Sequence, residues 1–353
     1  MNTHAGFVLD PTSLGGGPIA QRLLNSGMDV QVLKPWIGMD GHSYQTLVVN
    51  GKATSIRVNA ATLRKDEWIQ LDTAVLMAAQ SRLIAVADLY SRNLVYRIGN
   101  GLAQTVLQYQ DAGEMTAAEI TMDAVTKTQK DRPEYGLTSL PLPIVHKDFS
   151  FNSRFLAESR VMGRGIDTLA AMQAARVVAE KVEDMLVNGT SSYTYGGGTI
   201  YGYVDFPQNV DVTLAAHWDA SGTTGEMILD DVREMKQSLI DVHKFGPYVL
   251  YIPTAYETVM DDDYKSESDK TIRERILGIQ NISDVRVLDS LPADHVLLVQ
   301  MDAETVRMVE GLPVNTVEWQ EGGGFVTNYK VLTIMVPQIR ADQNGNCGVC
   351  LLS

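Results

Sequence analysis

Cys347 and Cys350, in the run NCGVC, are the only two cysteines and form a C-x-x-C pair. Such a pair can cycle between dithiol and disulfide, or supply half of a tetrahedral zinc site. Redox work needs the pair at the start of a helix inside a βαβ unit, and only three residues follow Cys350. Zinc would need a second cysteine pair, which the chain lacks. Both therefore read as small, partly buried residues on a terminal strand, reduced thiols that suit an intracellular assembly site. The six histidines, His4, His42, His146, His217, His243 and His295, have no ligand spacing such as H-E-x-x-H, and no G-x-S-x-G elbow exists. Gly15–Gly17 runs into Pro18 without the Gly-Lys-Ser/Thr of a phosphate loop. Asp261–Asp263 is the longest carboxylate run and reads as a solvated turn rather than a cation site. Glu180, Glu183 and Asp184 share a helix face as a general-acid pair would. With no histidine or metal ligand near them in sequence, that face reads as solvated or intersubunit. No catalytic, cofactor-binding or metal-ligating residue is expected, and no cofactor.

The helix that positions those acids is the strongest element in the chain. In Asp167–Gly189, DTLAAMQAARVVAEKVEDMLVNG, a period of 3.6 puts Ala171, Met172, Ala174, Ala175, Val178, Ala179, Val182, Met185 and Leu186 on one broad arc. Gln173, Arg176, Glu180, Glu183 and Asp184 fall opposite. Asp167 can cap the first amides, and Gly189 suits the left-handed turn after the last residue. Arg176 and Glu180 stand at i,i+4 and add slight surface support. The alanines let a packing partner approach closely.

Composition bounds the class. The chain has 353 residues, 45% hydrophobic and 20% charged, enough for one large or two ordinary domains. No stretch approaches about 18 uninterrupted apolar residues, so no transmembrane span is expected. The N-terminus lacks the basic and apolar regions of a secretory signal. A net charge of −14 gives no electrostatic reason to grip nucleic acid.

The flanks of the helix carry a resemblance. Pro141, Phe149, Phe151, Arg164, Gly165 and Asp167 precede Ala174, Ala175, Ala179 and Glu183, and Gly189, Tyr201 and Gly202 follow. This order resembles the encapsulins and the major capsid proteins of tailed bacteriophages, which share the Hong Kong 97-like shell fold. DEWIQLDTAVLMAAQSRL also resembles the early helix of encapsulins. The resemblance implies an α+β fold with an N-terminal arm (1–60), the first part of a peripheral domain (61–116) and an extended β-hairpin loop (117–165). A spine helix (166–204), an axial domain (205–310), peripheral-domain strands (311–336) and a C-terminal strand returning to the axial domain (337–353) complete it.

Read in order, MDVQVLKPW and YQTLVVNGKATSIRV are short strand pieces, the second a hairpin about Asn50-Gly51. A helix is predicted from Leu63 to about Asn93, with Thr62 as cap and Trp68, Leu71, Val75 and Met77–Ala79 facing inward. LAQTVLQYQ is a strand. Ile120–Lys130 and Leu142–Asn152 read as two long strands of a ribbon with RPEYGLTSLP as its tip. LDDVREMKQSLIDV is an amphipathic helix, PYVLYIP a central buried strand, Thr254 the start of a helix and Thr271–Leu277 another. VRVLDSL, HVLLVQM, PVNTVEW and FVTNYKVLTIMVP are strands.

The resemblance implies a structural protein: a major capsid protein building an icosahedral head around double-stranded DNA, or alternatively an encapsulin-type shell around a cargo enzyme. An acidic α/β enzyme is the alternative of another class and rests on composition alone. Expected partners are many copies of the chain in pentamers and hexamers, with scaffold, portal or cement proteins and non-specifically packaged DNA, and no membrane. The expected location is the virion, assembled in the host cytoplasm. Candidate intersubunit contacts are Lys127, Lys130, Asp131, Arg132, Phe149, Phe151, Arg176, Glu180 and Glu183. A covalent cross-link of Lys127 or Lys130 to Asn344 or Asn346 is not expected, because nothing marks the buried carboxylate it needs.

Overall fold

The structure is a computed structural model that describes residues 30–32, 36–37, 43–49, 52–57, 65–80, 83–112, 122, 135–152, 168–265, 269–321, 326–342 and 344–353. It divides into two compact units, Met1–Ala79 with His146–Val177 and Val314–Leu332, and Gln80–Val145 with Val178–Pro313 and Thr333–Ser353.

In the first unit, β1 (Val30–Val32), β2 (Trp36–Ile37) and β4 (Lys52–Arg57) all pair antiparallel with β3 (Ser43–Val49). The β3–β4 register sets Val49 opposite Lys52, the hairpin the sequence predicts about Asn50-Gly51. Helix α1 (Lys65–Gln80) buries Leu71, Val75 and Ala79 one turn apart. Met77, placed inward by the sequence, is exposed, because its azimuth lies some 200° from Val75. The single helix predicted to Asn93 is in fact two: α2 (Ala85–Ser91) starts after a break.

In the second unit, β5 (Val95–Arg97) lies parallel to the start of β15 (Val306–Glu321), Met308 beside Val95. β6 (Val106–Ala112) and β7 (Tyr135–Pro141) form an antiparallel ribbon with Ala112 opposite Tyr135. The expected ribbon of Ile120–Lys130 with Leu142–Asn152 is thus corrected. GLTSLP is a strand rather than a tip, because Leu137–Pro141 meets a complementary strand upstream. Residues 120–121 and 123–130 lie outside those described. β8 (Val145–Asn152) belongs instead to the sheet of β16 (Val326–Ile339).

Helix α3 (Leu169–Val187) is the predicted long helix, and Gly189 after it has φ +72°. Asp167, its proposed cap, lies outside the described residues. Its stripe is buried from Ala171 to Leu186 except at Met172, which is half-buried. After it comes a hairpin of β9 (Thr190–Tyr195) and β10 (Gly198–Ile200). Gly196 and Gly197 both take positive φ at its turn, which suits the primed hairpin turns.

A five-stranded sheet is ordered β11 (Val210–Val212), β17 (Val349–Leu352), β14 (Val296–Gln300), β12 (Tyr248–Pro253), β13 (Ile282–Leu288). β12 is an interior strand, between β14 and β13, and every residue in it is buried, as a continuous apolar run requires of a strand covered on both faces. α4 (Gly225–Asp241) covers it with Leu229, Val232, Met235 and Leu239. The helix expected from Thr254 is two 3-10 turns instead. α5 (Ile272–Leu277) is capped by Thr271, whose hydroxyl accepts the Glu274 amide at 3.3 Å.

β15 and β16 contain the predicted strands PVNTVEW and FVTNYKVLTIMVP, and both run through both units. β16 alternates buried and half-exposed residues to Leu332, then is buried continuously to Ile339. That is a strand passing from a one-faced to a two-faced setting.

Candidate assembly surfaces

The candidate contact residues meet different fates. Lys127, Lys130, Asp131 and Arg132 lie outside the described residues. Phe149 and Phe151 point to one face of β8, as alternation requires, and both meet Tyr329 of β16 within the first unit. Phe149 stacks on Tyr329 with centroids 5.2 Å apart, and Phe151 meets it edge-on at 5.6 Å. Phe151 is buried and Phe149 half-buried. Both rings therefore pack on their own chain's sheet, and Phe149 keeps part of its surface uncovered. Beside them Asp148 lies 3.5 Å from Lys330, whose ammonium sits over the Trp319 ring. Arg176 is exposed on α3 and Glu180 half-exposed, so both remain at the surface.

Glu183 is the clearest reversal. The reading from sequence gives it to solvent or a neighbour, yet four residues after buried Ala179 and three before buried Leu186 it stands at the edge of the stripe, and it is 2% exposed. Its carboxylate accepts the amides of Ala85 at 2.5 Å and Val86 at 3.3 Å, at the first turn of α2. Burial pushes its acid up to about 7, against the lowering effect of those amides. Helical periodicity places a residue on a face but cannot say that a second helix end will arrive there with unpaired N–H groups.

The reasoning from sequence missed a cluster of exposed apolar groups in the second unit. Leu102, Leu137, Ile144, Tyr193 and Tyr195 each leave two-fifths or more of their surface uncovered. A groove of about 210 Å³ is lined by Leu102, Leu142, Pro143, Ile144, Tyr193 and Tyr195 and by no charged side chain. A second, of about 540 Å³, runs beside Gly136–Leu140 of the ribbon and Gly197–Thr199. The backbones there are close: a Cβ on Gly198 would fall 2.0 Å from the Ser139 carbonyl oxygen. Tyr193-x-Tyr195 before a Gly-Gly turn was the available signal, a strand with aromatics on one side.

The described residues offer little reactive chemistry. Among them no three His, Cys, Asp or Glu side chains gather as a metal site. Cys347 and Cys350 are buried free thiols pushed by burial to about 11 and about 12, so neither forms the nucleophilic thiolate near neutrality. Asp261 of the acidic run lies 3.4 Å from Arg273, which also holds Glu257 at 3.0 Å. No helix of the described residues is long and apolar enough to cross a membrane.

Comparison with known proteins gives the fold. A family described as "Family of unknown function (DUF6260)" matches residues 59–351. The type 1 encapsulin shell protein EncA of Myxococcus xanthus is 23% identical over 199 residues, 54% of this chain. The match spans only 61% of the EncA chain. The virus-like particle of Pyrococcus furiosus superposes with a TM-score of 0.58 at 16% identity, covering 82% of this chain and 99% of that one. The capsid of Myoviridae phage XM1 gives 0.57 at 11% identity, covering 73% and 88%. The capsid of a native GTA particle gives 0.53 at 12%, covering 74% and 88%. The fold is α+β and Hong Kong 97-like.

Proposed function

The chain belongs to the DUF6260 family, a family of unknown function, and from that premise we propose that it is a structural major capsid protein. In this reading it self-assembles into the icosahedral head of a tailed double-stranded DNA bacteriophage. The observation that carries the reading is coverage: a shell fold accounts for 99% of one particle-forming chain and 88% of a phage capsid chain. A fold shared only in part would leave room for an unrelated role; here at most about an eighth of either shell chain is without a counterpart.

In this proposal residues 205–310 with 337–353 are the axial domain, supported by a five-stranded sheet drawn only from Val210–Gln300 and Val349–Leu352. Residues 61–116, 166–204 and 311–336 make the peripheral domain, residues 1–60 an arm, and 117–165 the extended loop. Pentamers and hexamers need heterologous contacts, one patch meeting a different patch on the next copy. The uncharged groove about Leu102, Ile144 and Tyr195 has the chemistry for such a patch, since uncovered apolar surface of this kind marks interaction sites. Scaffold, portal and cement proteins, and a virion location after assembly in the host cytoplasm, belong to the same proposal. A structural rather than enzymatic role follows from it.

Closed particles of uniform outline in negative-stain images of the expressed chain are the expected result. Sedimentation as monomer or dimer alone, with and without viral lysate, would overturn the reading. A second reading, an encapsulin-type shell around a cargo enzyme, is favoured by the stretch shared with EncA. A single enzyme copurifying inside nucleic-acid-free particles would select it.

A further inference from the structure

The cavity of about 540 Å³ beside the β6–β7 ribbon is bounded at one end by Gln338 of β16, and positive charge collects beside that end. Arg307, on the neighbouring strand β15, donates its Nε–H to Gln338 Oε1 and lies over the Tyr96 ring at 4.7 Å. The Arg340 amide donates to the Thr305 carbonyl at 2.8 Å, which keeps Arg340 next to the same pair. Alternation puts Gln338 and Arg340 on one face. The Arg340 guanidinium lies 5.7 Å from the centre of the Tyr109 ring, and Tyr109 also lines the cavity.

Donors outnumber acceptors there. Arg307 can only donate, so the amide oxygen of Gln338 must face it. The other end of that amide, Nε2, has no hydrogen-bond partner, although Gln338 is 1% exposed. Among the described residues no carboxylate pairs with Arg307. Burial and the Arg340 charge hold its guanidinium below the usual value, offset in part by Tyr96 and Tyr109. Asp342, which lines the cavity, is engaged elsewhere: it accepts the Asn346 amide at 2.7 Å and lies 4.0 Å from Lys244. On a chain of net charge −14 this is a local excess of positive charge.

We propose that Arg307, Gln338 and Arg340 bind a phosphate-class oxyanion at this end of the cavity. A tetrahedral oxyanion accepts several donors at once, and a guanidinium fork fits two of its oxygens. Gln338 Nε2 is a further donor that gains an acceptor when the anion arrives. Tyr96 and Gln338 fix the Arg307 plane beforehand, so binding costs little side-chain freedom. All these residues belong to one compact unit, and the site needs no second copy.

Calorimetric titration of the full-length chain with inorganic phosphate, at constant ionic strength in chloride, tests this whether or not the chain builds shells. Wild type should show saturable binding at one site per chain. Arg307→Lys keeps the charge and loses the fork, and should bind at least about tenfold more weakly. Arg233→Gln, on the exposed face of α4, should bind as wild type does. No saturable binding, an Arg307→Lys affinity equal to wild type, or an equal loss in Arg233→Gln overturns the proposal. If Arg307→Lys does not fold, Gln338→Glu decides: a carboxylate there pairs with the arginines and should abolish phosphate binding, and retained binding overturns the proposal. Glycerol phosphate, titrated separately, distinguishes the sources of the group. Tighter binding than phosphate assigns the site to a phosphoester whose body fills the cavity, and weaker binding assigns it to the free ion.

Discussion

The five-stranded sheet and the β6–β7 ribbon lie in the same compact unit and are built on opposite terms. In the sheet, β12 and β14 are buried at every residue, and α4 covers one face with Ile228, Leu229, Val232, Met235 and Leu239. The ribbon has two strands, and on β7 Gly136, Leu137 and Thr138 face solvent. A two-stranded ribbon alone is marginal in water. A sheet buried on both faces is held by its own chain, whereas the ribbon keeps apolar surface in reserve. Stability and assembly should therefore be separable by mutation.

The largest effect is expected in the sheet. Leu298→Ala empties a fully buried site beside Leu250, and the subunit should lose about 3 kcal/mol in urea denaturation. Leu137→Ala in the ribbon should cost the subunit less than about 0.5 kcal/mol, yet reduce the yield of particles in sedimentation. Equal losses of subunit stability would break the comparison.

Next comes the aromatic group on β8. Phe151→Ala should cost about 3 kcal/mol because the ring is buried between Phe149 and Tyr329. Phe149→Ala should cost less, since Phe149 is only half-buried. Particles of Phe149→Ala should still release their contents at lower temperature than Lys130→Ala particles, at both low and about molar salt. Apolar burial exceeds an exposed ion pair, which is worth about 0–1 kcal/mol. Earlier release from Lys130→Ala would mark an electrostatic contact.

Smaller again is the charge beside those rings. Lys330→Ala breaks the 3.5 Å approach to Asp148 and should change subunit stability by about 0.5 kcal/mol, less at high salt. A salt-independent loss above about 1 kcal/mol would mean that packing on Trp319 dominates.

The last expectation leaves stability unchanged. Cys347 and Cys350, pushed up to about 11 and about 12, should react slowly with a disulfide reagent at pH 8 and rapidly once urea unfolds the chain. Fast reaction in the native state would show that the terminal strand opens, and that the sheet is less self-contained than its burial implies.

Amino-acid order alone determined the elements whose pattern is local. The period of Ala171–Leu186, the run YVLYIP, the stripe of α4, the hairpin about Asn50-Gly51 and the strands about EGGG were all legible, because each is set by neighbours a few residues away. The order of motifs around Glu183 carried the resemblance to shell proteins. Tertiary structure alone decided which strand pairs with which. Residues 135–141 read as a turn because Gly136 and the prolines disfavour a strand locally, and only pairing with Val106–Ala112 makes them one. Likewise β8 became a sheet strand because Tyr329 receives its two phenylalanines. Glu183 shows the limit most sharply. A carboxylate at the edge of an apolar stripe can turn to water on any local reading. The amides that draw it inside start nearly a hundred residues earlier in the chain, and no period of 3.6 can register a partner at that distance.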